Sequence, residues 1–175
     1  MTDPLTDLPN SRAFYMMLEQ RIAECQRLNK ESLAVISMDV DDFKKVNDTY
    51  GHAVGDRMLA NIGAVIKKEL RQMDILTRYA GDEFVAIMPM ASSVMAGMVA
   101  ERIRAAVQSC KFTVRTGRTT EVGLSIGISC FPADGETTEE LLTAAARNMQ
   151  RDKHTRKVLP ELSAMPTASS YDTFR

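Results

Sequence analysis

Residues 75–88 read Ile75-Leu76-Thr77-Arg78-Tyr79-Ala80-Gly81-Asp82-Glu83-Phe84-Val85-Ala86-Ile87-Met88, two short apolar runs broken by Ala80-Gly81-Asp82. Glycine supplies the positive φ of a tight turn at no steric cost, so the spacing predicts a β-hairpin with its tip at 80–82. Upstream, Leu33-Ala34-Val35-Ile36-Ser37-Met38-Asp39-Val40 is an almost wholly apolar run ending in acid, the pattern of a strand covered on both faces. Downstream, strands are expected at about 111–116 and 119–131 around Thr116-Gly117-Arg118. Helical periodicity occupies the intervals. A helix capped by Asn10 or Ser11 buries Phe14, Met17, Leu18, Ile22 and Cys25, and a short one over 41–46 opens on acids at the positive end of its dipole. A third runs from about Gly55 to Leu70, burying Met58, Leu59, Ile62, Val65 and Ile66. A fourth, about 91–109, has Val94, Met95, Met98, Val99, Ile103, Ala106 and Val107 as its inward stripe, and a last spans about 137–152. Two hairpins among alternating helices require antiparallel pairs, which favours an α+β sandwich, a central mostly antiparallel (mixed) sheet flanked by helices, over a purely parallel sheet.

The totals bound the chemistry. At 175 residues the chain is the size of one domain. Lys plus Arg number 22 against 23 Asp plus Glu, whereas a protein held to polymeric nucleic acid by its phosphates shows a basic excess or stripe. No apolar run approaches a membrane span, the N-terminus lacks a basic-then-apolar leader, and no membrane contact by this segment is expected. Three widely spaced cysteines without a CxxC pair suit a reducing cytoplasm better than a disulfide framework or a zinc site. Twelve methionines at mostly helical spacing read as packing material.

Two acidic clusters remain. Asp39 ends the apolar strand and is followed by Asp41 and Asp42 at a strand-to-helix turn; Asp82 and Glu83 sit at the hairpin tip. If the two strands are neighbours, Asp39 and Asp82 converge at one sheet edge, where a hard divalent cation relieves their repulsion. The turn into the next helix offers N–H groups to phosphate, and Lys44 adds charge. That is the layout of a phosphoryl or nucleotidyl transfer site. Acids at such places also simply cap a helix and decorate a turn, and spacing alone leaves both readings open.

Ala80-Gly81-Asp82-Glu83-Phe84 resembles the GGDEF signature of diguanylate cyclases, and residues 38–56, from Met38-Asp39-Val40-Asp41-Asp42-Phe43 to Val54-Gly55-Asp56, resemble the family's other long signature. Asp3-Pro4-Leu5-Thr6-Asp7-Leu8-Pro9-Asn10 is similar to its N-terminal D-x-L-T-G-L-x-N motif. The resemblance implies a nucleotidyl-cyclase, palm-like sandwich over residues 1–157, with a linker or tail over 158–175. It implies condensation of two GTP molecules into cyclic di-GMP and two pyrophosphates with Mg²⁺ or Mn²⁺, between two such domains facing each other as a homodimer. On the matching positions, Asp39, Asp82 and the Val40 carbonyl would hold metal, and Glu83 would assist a second metal or remove the proton of the attacking 3′-hydroxyl. Asn47 and Asp56 would read guanine, while Asp42, Phe43, Lys44, Gly81, Lys153 and Lys157 would contact the rest of the nucleotide. Arg71-Gln72-Met73-Asp74 resembles the family's inhibitory RxxD site for returning product, with Arg78 as a helper. Sensor or EAL-type domains in a longer parent chain are implied partners.

The sequence departs from the family at four places. Ala80 replaces the first signature glycine, Asp7 replaces the glycine of the N-terminal motif, and Ser11 stands where arginine is frequent. The last helix keeps Lys153 and has Lys157 for arginine, but its other motif residues differ; residues 147–157 carry five cations and one acid. The alternative from another class is a non-catalytic receptor for cyclic di-GMP or GTP that regulates a partner.

Overall fold

In the computed structural model, residues 1–29 and 32–163 are described, with side chains to residue 157. The chain order is α1 (Ser11–Leu28), β1 (Leu33–Val40), α2 (Phe43–Tyr50), α3 (His52–Glu69), β2 (Ile75–Ala80), β3 (Glu83–Pro89), α4 (Ser93–Ser109), β4 (Phe112–Arg115), β5 (Arg118–Thr120), β6 (Leu124–Phe131) and α5 (Thr138–Ser163). All eight residues of β1 are buried because it is central in a four-stranded sheet of order β2-β3-β1-β6. Every pairing in that sheet is antiparallel, so the sandwich is α+β with the mostly antiparallel sheet expected, here antiparallel throughout.

Strand pleating sends alternate side chains to opposite faces. Leu33 and Val35 join Phe14 and Leu18 of α1 and Leu141 and Ala145 of α5 in one core. Ala34, Ile36 and Met38 join Met58 and Ile62 of α3 and Val99 and Ile103 of α4 in the other. Each fully buried Leu or Ile is worth about 1.5–3 kcal/mol, so these two layers supply the force that holds the helices against the sheet. The Asn10 side chain caps α1 by accepting from the Ala13 N–H at 3.1 Å, and the Ser92 hydroxyl caps α4 by accepting from Met95 at 3.1 Å.

The structure corrects several expectations. The stretch 119–131 is two strands in different sheets: β5 pairs only with β4, and β6 begins after Glu121-Val122-Gly123 and joins the main sheet. Helix α3 starts at His52, earlier than Gly55. Helix α2 starts at Phe43 behind Asp42, which has a left-handed φ of 54° and makes no side-chain capping bond, so the acids there do not serve as a cap. The buried face of α4 is Ala96, Val99, Ala100, Ile103 and Val107, while Val94, Met95 and Met98 are exposed. Ala96 and Ala100 let this helix approach the sheet closely, and the longer Met95 and Met98 fall on the outer side. The packing role expected for methionine therefore fails at Met1, Met16, Met73, Met90, Met95 and Met98, all of them exposed. Helix α5 continues past residue 152 to Ser163, since no helix-terminating residue intervenes between 151 and 157. The expected tail from 158 thus begins helical, and residues 164–175 lie outside the described residues.

The departures at the turns cost little. Gly81 has φ +35°, but Ala80 is not among the positive-φ residues, so losing the first signature glycine brings no left-handed strain. Asp7 does take φ 57°, a region aspartate tolerates better than most residues. Among the described residues no helix is long and apolar enough to cross a membrane.

Candidate active site

Pairing of β1 with β3 sets Asp39 opposite Glu83, which brings the acidic end of β1 and the β2–β3 turn to the same sheet edge. The Val40 N–H donates to the Asp82 carbonyl at 3.2 Å and closes that edge. Asp39 is 9% exposed. Burial, and then the charge of Asp39 beside it, push the Asp82 carboxyl above the usual carboxylate range, and the two side chains lie within hydrogen-bonding reach. Burial and the Asp39 charge also raise Glu83. Elevated values of this kind arise where acids are crowded in a partly desolvated place, and they mark functional sites.

Facing these acids, α5 delivers Lys153, whose Nζ donates to Asp39 Oδ2 at 2.8 Å. That hydrogen bond holds the lysine above its ordinary pKa. The donor set is all oxygen, two adjacent carboxylates with a main-chain carbonyl expected at Val40, and it fits a hard divalent cation such as Mg²⁺. Among the described residues no three His, Cys, Asp or Glu gather as a ready cage. Glu83 is drawn aside: Ser37 Oγ donates to its Oε1 at 3.4 Å, and it lines a cleft between α1 and α5 with Tyr15 and Tyr79. Burial and the hydrogen bond that its hydroxyl shares with Tyr15 push Tyr79 up to about 12, so this phenol stays neutral beside Glu83.

The turn after β1 forms a second part of the site. Asp41, Asp42, Lys153, Arg156 and Lys157 line a cleft of about 240 Å³, so both lysines expected at phosphate converge there. Phe43 is buried beneath it, and Lys44 points to solvent. Further along, Asn47 Oδ1 is buried without a hydrogen-bond partner and is pressed against Gly55, where any Cβ would overlap it. Asp56 is exposed one residue later on α3. The two residues expected to read guanine therefore flank Gly55, whose bare backbone leaves room for the Asn47 amide.

Arg71 and Asp74 form a second group at the opposite end of β2. Arg71 Nη2 donates to Asp74 Oδ1 at 2.8 Å and to the Pro89 carbonyl at 2.6 Å. Arg78 is not brought to them. Its Nη1 donates to Asp3 Oδ1 at 3.0 Å and its Nε to the Gly81 carbonyl at 2.9 Å, so it ties the N-terminal turn to the signature loop. Four residues of strand, roughly 13 Å at the usual rise, separate it from Asp74. Sequence reasoning also missed Asp41 and Arg156 as partners: Arg156 Nη1 donates to Asp41 Oδ2 at 2.8 Å. Their separation in sequence hid the contact, and the only trace was the run of cations after residue 147.

The family described as "Diguanylate cyclase, GGDEF domain" matches residues 1–158. Diguanylate cyclase DgcP of Pseudomonas aeruginosa is 37% identical over 153 residues, which are 87% of this chain and 22% of DgcP. The chain spans less than half the length of the curated relatives it matches. The GGDEF domain of TpbB from P. aeruginosa superposes with a TM-score of 0.84 at 36% identity, covering 89% of this chain and 90% of that one. The GGDEF domain of DgcB from Caulobacter crescentus, solved in complex with c-di-GMP, has a TM-score of 0.82 at 27% identity, covering 89% and 88%.

Proposed function

Because the chain belongs to the GGDEF family of diguanylate cyclases, we propose that it condenses two GTP molecules into cyclic di-GMP and two pyrophosphates. The observation that carries this reading is the meeting of Asp39 and Asp82 at one sheet edge, opposite the cations of α5. Each half-reaction forms a bond from the 3′-oxygen of one GTP to the α-phosphorus of the other. The bond from that phosphorus to the bridging oxygen breaks, and pyrophosphate leaves. A divalent cation, Mg²⁺ or Mn²⁺, when bound neutralises phosphate charge and lowers the pKa of the attacking hydroxyl.

This chain's residues supply the rest. Asp39, Asp82 and the Val40 carbonyl hold the cation. Glu83, whose proton affinity burial has raised, accepts the 3′-hydroxyl proton on the carboxylate oxygen that Ser37 leaves free. Lys153 and Lys157 hold the triphosphate over the 42–44 turn, to which Gly81 lets it come close. Asn47 and Asp56 orient guanine through an amide and a carboxylate that match its donor and acceptor edge. One domain positions one GTP, so two copies face each other in the working state, and alignment of the two reactive ends is a large part of the rate. The partners are GTP, cyclic di-GMP, a second copy, and sensor or EAL-type domains of a longer cytoplasmic protein. The non-catalytic alternative drew support from Ala80 and from the divergent last helix; the first support is gone, since the position needs no positive φ.

The test is incubation of concentrated or artificially dimerised protein with GTP and Mg²⁺, following cyclic di-GMP by chromatography. Formation of product supports the enzyme. Binding of cyclic di-GMP with no synthesis would establish a receptor instead.

Product feedback is proposed at Arg71 and Asp74, and Arg78 is left out of that group because it is committed to Asp3. A guanidinium fits phosphate and guanine bidentately. Arg71→Ala is expected to weaken cyclic di-GMP binding about 10–100-fold, the worth of a charge-assisted hydrogen bond. Calorimetric affinity equal to that of the wild type would remove the assignment.

A further inference from the structure

The cleft beside the carboxylates holds a group of contacts that the roles above do not use. The Asp41 N–H donates to the Gly123 carbonyl at 2.9 Å, and Ser125 Oγ donates to Asp41 Oδ1 at 2.5 Å. The other carboxylate oxygen receives Arg156 Nη1 at 2.8 Å, and the same nitrogen also donates to the Leu124 carbonyl. The guanidinium lies across Gly123: a Cβ there would stand 2.8 Å from Arg156 Nη2 and 2.9 Å from Asp41 Oδ2. The arginine is 30% exposed and the aspartate 22%, so the pair is partly withdrawn from water and screened less than a surface pair.

Asp41 belongs to the turn that presents nucleotide ligands. It follows Asp39 and Val40 and precedes the left-handed Asp42, where the backbone reverses into α2. Arg156 stands one helical turn beyond Lys153 on α5, so one helix sends a cation to each of the two acids. An adjoining tie continues the seam. Arg104 of α4 donates to the Leu124 carbonyl at 2.9 Å and to Asp152 Oδ2 at 3.0 Å, and Asp152 Oδ2 accepts the Ile126 N–H at 2.8 Å.

We propose that Arg156 is a positioning residue for nucleotide binding: laid across Gly123 and bonded to Asp41, it fixes the 39–43 turn and the reach of Lys153 into the phosphate cleft. The inference rests on the nucleotide reading of the site and adds a residue that acts through Asp41 rather than by touching substrate. Gly123 is part of the same device, because a Cβ there would crowd both ends of the clamp, Arg156 Nη2 and Asp41 Oδ2.

The experiment measures affinity for a non-hydrolysable GTP analogue with Mg²⁺ by calorimetry, with thermal melting alongside. Arg156→Gln removes the charge. Gly123→Ala leaves every charge in place but wedges the clamp apart. Both are expected to weaken the analogue about 10-fold, equivalent to about 1.4 kcal/mol, while the proteins stay folded. Arg156→Lys restores part of the loss. Asp41→Asn combined with Arg156→Gln is no weaker than the worse single variant, because the two residues form one unit. In turnover the loss is expected in KM with kcat nearly retained, a split that a loss of fold alone does not produce. Variants that bind within twofold of the wild type, or single losses that simply add in the double variant, would overturn the positioning role alone. A wild type that fails to bind the analogue overturns the nucleotide reading and this role together.

Discussion

Asp82→Asn is expected to lower cyclic di-GMP synthesis by about 10³-fold or more, the scale of losing a group that organises charge in a transfer reaction. Two carboxylates side by side are what makes the sheet edge attractive to a divalent cation, and the amide halves that charge while keeping the shape. The same substitution is expected to raise the melting temperature of metal-free protein at neutral pH. Burial and Asp39 hold the folded-state pKa of Asp82 above its ordinary value of 3.8, so ionisation opposes folding. The sign follows from proton linkage: stability conferred by the protonated acid is full below the unfolded pKa and is lost as pH rises through the folded one. The gain from Asn should therefore shrink as the pH is lowered towards 3.8 and vanish below it. Retained synthesis would refute the catalytic assignment. A melting temperature that falls at neutral pH would show instead that the carboxylate holds the turn together.

Gly127→Ala is expected to be the most damaging small substitution in the fold. A Cβ on Gly127 would overlap the Ala145 carbonyl and the Met149 N–H, both main-chain atoms of α5. No rotamer change can relieve a clash with backbone, so the helix must lift away from β6. The cost expected is about 3 kcal/mol, or roughly 6–12 °C in melting temperature for a domain of this size. Lifting α5 also draws Lys153 away from Asp39, so nucleotide affinity falls with stability. Gly97→Ala provides the contrast. Nothing lies within 4 Å of a Cβ on this α4 glycine, so the change is expected to stabilise by about 0.5–1 kcal/mol. A Gly127→Ala protein that melts within 2 °C or so of the wild type would show that the helix seats less closely than described.

How much of this was legible in the sequence differs from part to part. The run at 33–40 and the break at Gly81 named the central strand and the hairpin, and antiparallel pairing then dictated that Asp39 and Asp82 meet. Local chemistry sufficed because Gly81 and the adjoining acids carry their meaning within a few residues. The buried face of α4 was not legible. Its sequence is apolar on most sides, and the choice between Met98 and Ala100 was made by the shape of the sheet, which favours the smaller residue. The separation of β5 from β6 falls at Glu121-Val122-Gly123, and the contact that Gly123 makes there is with Arg156, more than thirty residues later. Arg78 bonds outside the Arg71–Asp74 group for a similar reason: nearness to the signature in sequence said nothing of Asp3, its partner 75 residues earlier. In the candidate site, the residues proposed to ligate were visible as types at set spacings. Residues that hold those ligands in place were not, because their partners lie far away along the chain.

The central position of β1 also sets an order in time. The β2–β3 hairpin closes across a two-residue turn and can form as soon as both strands exist. β1 must then find β3, with Leu33 opposite Pro89, and only afterwards β6, with Leu33 opposite Phe131. Longer loops cost more entropy to close and slow the search. The acids of the edge come from β1 and the β2–β3 turn, whereas Lys153 and Arg156 belong to α5, the last element of the chain. Synthesis therefore makes the acidic rim first and the cations that quiet it last.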